Sequence, residues 1–258
     1  MKATKTIMAL AVIVAAASAF MQRGGTADHI LLTEVSAAPL PDGDLGVFLK
    51  VENRGAPDRL ISVTSSEADA TIYSPEADAG PPMPSGQGPS LAADGAHIRL
   101  SGLTGAKDDG RLIPLTLTFE KAGKVTTKAR ISDPKASGAA SEVGLFGLGD
   151  ICVVGDGEPA PKVSLTVVPD GDGWKISVNT DQFEFSDALT GLYHVPGMGH
   201  GHIYVGGMKI GRLYQPEARI GTLPKGEHQV RLTLNTNDHR AYVVGDQPVT
   251  ATATIVVD

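Results

Sequence analysis

The sequence predicts an all-β protein built as two β-sandwich domains in series. Three observations carry that expectation. Short alternating or apolar stretches recur between turn residues, glycine (31) and proline (17) are plentiful while helix-periodic runs are scarce, and the pattern breaks once, near the middle of the 258 residues. About 240 residues beyond a leader are long for one sandwich and natural for two domains of roughly 100 each.

The leader is read first. Lys2 and Lys5 precede an apolar run from Ile7 to Ala17 that ends in Ala17-Ser18-Ala19. This is the form of a secretory signal peptide, residues 1–19, cleaved after Ala19, with an uncleaved N-terminal anchor as the alternative. No later segment reaches the roughly 20 apolar residues of a membrane-spanning helix. A periplasmic or secreted protein is expected, with no membrane span after cleavage.

The first domain is expected over residues 28–131. Its strands are read at His29–Ser36, Gly46–Glu52, Leu60–Ser65, Ala70–Tyr73, His97–Leu100, Leu115–Glu120 and Lys124–Ile131. Between them Pro75–Gly95 is rich in proline and glycine and lacks apolar periodicity, so it reads as a long loop of the kind that carries function. Residues 132–162 turn to Gly, Ala, Ser and Pro, the composition of a linker, with apolar islands at Val143–Phe146 and Ile151–Val154.

Alternation returns over residues 163–258, in Val163–Val168, Trp174–Thr180, Gln182–Phe185, His202–Val205, Met208–Tyr214, Gly226–Leu234 and Val249–Val257. This second sandwich is expected to be immunoglobulin-like. Pro169-Asp170-Gly171-Asp172-Gly173 and Val205-Gly206-Gly207-Met208 are read as hairpin turns, where glycine accepts positive φ.

Charge and cysteine content narrow the function. A net charge of −7 gives no basic face for nucleic acid or anionic membrane. The single cysteine, Cys152, forms no intramolecular disulfide and is either a buried small hydrophobe or a free thiol open to metal or intermolecular pairing. No Gly-x-Ser-x-Gly elbow, His-Glu-x-x-His pair or Cys-His partnership supports a hydrolase.

Gly46-Val47-Phe48-Leu49-Lys50-Val51-Glu52-Asn53-Arg54-Gly55, Asp58-Arg59-Leu60 and Ile113-Pro114-Leu115-Thr116-Leu117-Thr118-Phe119-Glu120 resemble the periplasmic copper chaperone family PCu(A)C over about residues 28–131. The resemblance implies a cupredoxin-like sandwich with His and Met ligands for copper(I) on one edge, since thioether and imidazole are soft donors. Carried across, that ligand set is incomplete. Tyr73 stands at the first histidine, Met83 lies close to the first methionine, and the closing His-x-Met becomes His97-Ile98-Arg99. Met83 and His97 are thus secondary metal candidates.

The denser donor set lies in Tyr193-His194-Val195-Pro196-Gly197-Met198-Gly199-His200-Gly201-His202. On a strand, residues two apart share a face, so Met198, His200 and His202 can point the same way. Two imidazoles beside a thioether suit copper better than calcium or zinc. His239, in Asn235-Thr236-Asn237-Asp238-His239, is expected to join them, with Asp238 orienting an imidazole and His194 in reserve; His228 reads as a turn residue on the surface. Gly201-His202-Ile203-Tyr204-Val205 and Asn237-Asp238-His239 are also similar to a recurrent exported bacterial β-sandwich domain.

The expected function is therefore copper binding, as Cu(I) or Cu(II), for delivery to an envelope acceptor protein or for buffering, without enzymatic turnover. The alternatives are a metal-free envelope adaptor and a copper-dependent enzyme resembling superoxide dismutase, which also presents His-x-His on a strand.

Overall fold

The computed structural model describes residues 29–132 and 151–258, and every element among them is a β-strand. The leader and most of the linker lie outside the described residues. No helix among the described residues is long and apolar enough to cross a membrane.

The N-terminal half contains β1 (Ile30–Pro39), β2 (Leu45–Asn53), β3 (Asp58–Thr64), β4 (Asp69–Tyr73), β5 (Pro82–Met83), β6 (Ser90–Leu91), β7 (His97–Ser101), β8 (Leu112–Phe119) and β9 (Gly123–Ile131). One sheet runs β4-β7-β2-β1 and the other β3-β8-β9, with a short parallel pairing of β1 to β9 closing one side. Strict alternation produces the core: Ile113, Leu115, Leu117 and Phe119 of β8 are buried, while the residues between them face outward. These side chains meet Val47, Leu49 and Val51 of β2 in one apolar cluster.

The C-terminal half contains β10 (Ile151–Val153), β11 (Lys162–Asp170), β12 (Gly173–Asp181), β13 (Glu184–Phe185), β14 (Met198–Val205), β15 (Met208–Leu213), β16 (Glu217–Ile220), β17 (Gly226–Thr236), β18 (Ala241–Val244), β19 (Gln247–Pro248) and β20 (Thr250–Val257). A sheet ordered β15-β14-β17-β20 faces a second ordered β11-β12-β16. A separate core forms between them from Ile176, Val178, Ile203, Val205, Val230, Leu232 and Leu234. The expected Gly206-Gly207 hairpin is present, both glycines at positive φ (51° and 77°) as a tight two-residue turn requires.

Two features go beyond the sequence reading. The island at 151–153 is a strand that pairs in parallel with β18, so this part of the expected linker belongs to the second sheet system. The 75–95 segment is a connector between the halves, because β6 pairs with β2 on one side and with Lys209 of β15 on the other. Its buried Met83, Leu91, Ala92 and Ala93 explain why it lacks a simple period: it is covered from both sides.

Candidate metal centre

β14 is the strand on which the site is built. Its side chains from Gly199 to Val205 are buried on both faces, unlike a half-exposed antiparallel strand. Ile203 and Val205 enter the C-terminal core. His200, His202 and Tyr204 alternate with them and stand opposite Asn235, Thr233 and Arg231 of β17. The second face is thus polar, and the 75–95 connector covers it. Gly199 is needed at the start of the strand because a Cβ there would run into the carbonyl oxygen of Asn235.

His200, His202 and His239 come together, each offering a ring nitrogen, with those nitrogens all within 4.8 Å of one another. They are 0%, 4% and 8% exposed, so the group is held inside the protein. Nε2 of His200 lies 3.1 Å from Nε2 of His202, and the rings of His200 and His239 meet edge to face at 4.9 Å.

β17 delivers His239 through the turn that follows it. Thr236 and Arg240 close the turn by backbone hydrogen bonding, and His239 donates its N–H to the Thr236 carbonyl at 3.0 Å. His239 has φ 71°, the left-handed position that such turns usually give to glycine or asparagine. A histidine there costs on the order of 1 kcal/mol in backbone energy.

Burial keeps the His200 and His202 imidazoles neutral. Desolvation, with added repulsion from His202 and His239, pushes the His200 pKa down to about 2. For His202, desolvation and Lys209 lower it to about 4 against the opposing pull of Asp94. Neutral rings are the form that ligates a metal.

Asp94, at the end of the connector, was not found by sequence reasoning. Its Oδ2 accepts from Tyr204 Oη at 2.7 Å and from Lys209 Nζ at 3.1 Å, and lies 3.4 Å from His202 Nδ1. Burial alone would raise its pKa, but Lys209, His202 and Tyr204 together hold the carboxyl well below its usual range. A cleft of about 270 Å³ between the halves is lined in part by Asp94, His202, Tyr204, Arg231 and Asn235.

The other sequence candidates lie elsewhere or play other parts. Met198 is half-buried on β14, two residues before His200. His194 turns its Nε2 toward Cys152 Sγ at 3.8 Å. Asp238, expected to orient an imidazole, instead pairs with Arg240 at 3.0 Å and accepts from Thr236 Oγ1, because those partners sit within its own turn. Met83 is fully buried in the N-terminal core, and His97 packs on Tyr73 at 4.8 Å with Nδ1 bonded to the Gly95 carbonyl. His228 is buried rather than on the surface, donating Nε2–H to the Pro224 carbonyl at 2.6 Å.

Comparison with known proteins finds likenesses chiefly to the N-terminal half. The family described as "Putative lipoprotein LpqE-like" matches residues 14–131, somewhat under half of the chain. The copper-bound PCuAC domain from PmoF2 is 25% identical, with 41% of this chain and 94% of that one covered at a TM-score of 0.37. The apo PCuAC domain from PmoF1 is 26% identical, covering 41% and 95% at a TM-score of 0.37. Fibronectin(III)-like modules of Clostridium thermocellum CbhA cover 88% of this chain and 94% of their own at 11% identity and a TM-score of 0.25. No curated protein matches.

Proposed function

We propose that this chain is an exported copper-binding protein that carries or buffers copper for an acceptor protein, with the ion held by His200, His202 and His239. The observation that carries this reading is the convergence of three buried imidazoles, two from strand β14 and one from the strained turn after β17. Imidazole suits copper, zinc, iron and nickel. The PCu(A)C resemblance of the N-terminal half favours copper among them.

The His200–His202 spacing fits an ion. With metal–nitrogen bonds of roughly 2.0–2.1 Å, nitrogens 3.1 Å apart, as in the His200–His202 pair, subtend about 100° at the metal. That is close to the tetrahedral angle. The PCu(A)C resemblance of residues 28–131 agrees with copper handling, although that half keeps only part of the family's ligands. Binding and release need no catalytic base, in keeping with a carrier.

The imidazole hydrogen bond itself favours the competing reading, in which the three rings brace the turn as a metal-free scaffold. Metal analysis of protein purified from the periplasm decides between them. Copper near one equivalent in the native protein, absent from His200→Ala/His202→Ala, is expected; native protein that takes up no copper, even when offered it, leaves the scaffold.

A further inference from the structure

We propose that the N-terminal half supplies the positioning residue of the C-terminal half's metal centre, with Asp94 holding His202 in the tautomer that aims its Nε2 at the ion. This rests on the reading of His200, His202 and His239 as ligands.

The argument follows the protons. Two oxygens lie near His202 Nδ1: Asp94 Oδ2 at 3.4 Å and Tyr204 Oη at 3.3 Å. The carboxylate, ion-paired with Lys209 Nζ at 3.1 Å, has no hydrogen to give, and Tyr204 spends its own on it at 2.7 Å. Both oxygens therefore face the ring as acceptors, so the single proton of neutral His202 belongs on Nδ1. Nε2 is left bare and directed at His200. A carboxylate behind a ligating histidine fixes ring orientation and raises ligand basicity.

The carboxylate is itself fixed from the C-terminal half. Lys209, 6% exposed, balances its charge, and the Arg231 guanidinium lies 3.9 Å over the Tyr204 ring that anchors it. Arg231 also reaches back to Glu76 at 2.6 Å and to the Asp94 carbonyl at 3.3 Å. Close docking depends on Gly95, where a Cβ would strike the Gly207 carbonyl oxygen; Ala96 N–H donates to that same oxygen at 2.7 Å. The half with the incomplete copper ligands thus serves as a support for the other half's ligands. By linkage, an ion in the centre tightens the docking of the halves by the factor that docking tightens the ion.

The test uses the full chain without its leader, with copper(II) and zinc(II) each titrated alone against a chelator, and ¹⁵N spectra of the imidazoles in the metal-free protein. The native protein is expected to show His202 as the Nδ1–H tautomer. Asp94→Asn is expected to bind about 10–100-fold more weakly and to lose that single tautomer, whereas Glu76→Gln, which loosens the same interface without touching His202, keeps it. Because Asp94→Asn strands the buried Lys209 ammonium, Asp94→Asn/Lys209→Met removes both charges together and serves if the single variant does not fold. Native affinity and tautomer in the Asp94 variants overturn the positioning role and leave the ligands standing. An Nε2–H tautomer in the native protein also overturns it. Absence of binding in every protein overturns the ligand assignment, and this inference with it.

Discussion

Nε2 of His200 and Nε2 of His202 lie 3.1 Å apart, close enough that one proton holds them together until an ion replaces it. With the His202 proton on Nδ1, His200 is the donor, and its own Nδ1 is buried without a hydrogen-bond partner. A cation can take the place of the shared hydrogen when the His200 proton shifts from Nε2 to Nδ1, which frees a lone pair on each Nε2 to meet the charge.

Metal should therefore stabilise the fold measurably. An ion at about 100 times its Kd adds about 2.7 kcal/mol, which for a chain of this size raises Tm by roughly 5–10 °C. Calorimetry with and without copper reads this directly. In His200→Ala/His202→Ala the metal-dependent rise is expected to vanish; an equal rise in that variant would place the ion elsewhere.

His239→Gly separates ligation from packing. Glycine relieves the left-handed strain at φ 71°, a gain of about 1 kcal/mol that offsets part of the lost ring packing. The metal-free variant is expected to unfold within about 1–2 kcal/mol of the native protein while losing most of its metal affinity. Urea titration beside chelator competition tests this, and retained affinity would remove His239 from the ligand set.

Gly199→Ala should damage both fold and site. The added methyl meets the Asn235 carbonyl, a backbone atom that can yield only by parting β14 from β17 beside His200. A loss of about 1–3 kcal/mol is expected, together with weaker metal binding. Gly211→Ala on neighbouring β15, where a Cβ meets nothing within 4 Å, is the matched control and should leave both unchanged.

How far the sequence reveals this site depends on the range of each interaction. His200 and His202 were legible because strand period puts residues two apart on one face. His239 was legible as a donor in the Asn235–His239 run expected to join them, although its left-handed backbone was not. Asp94 was invisible, since the pairing that reveals its role, to Tyr204, spans 110 positions and joins separate cores. Asp238 stood beside His239 in sequence and looked like the orienting acid, but Arg240 two residues away captures it. Most strands followed from alternation; the short β16, β18 and β19 were not read from it, and β5 and β6 did not show because a segment buried from both sides has no polar face.

Acid should destabilise the metal-free protein through histidines outside the metal centre as well as within it. Burial lowers the pKa of His228, against the opposing pull of the Pro224 carbonyl, and Arg59 lowers it further. Burial likewise lowers that of His97, partly opposed by the Gly95 carbonyl. The unfolded chain, with histidine near 6.5, then binds more protons than the folded one as pH falls below that value. Stability is therefore full above about pH 6.5 and declines toward each folded pKa, by at most about 1.4 kcal/mol per pH unit for each histidine. Urea midpoints of chelated protein are expected to fall between pH 7.5 and 5.5, and His228→Gln should fall less over the same interval. Carboxylates titrate below this window, so a flat midpoint for the native protein, or an equal fall in the variant, would show that His228 takes up its proton without leaving its place beneath Pro224.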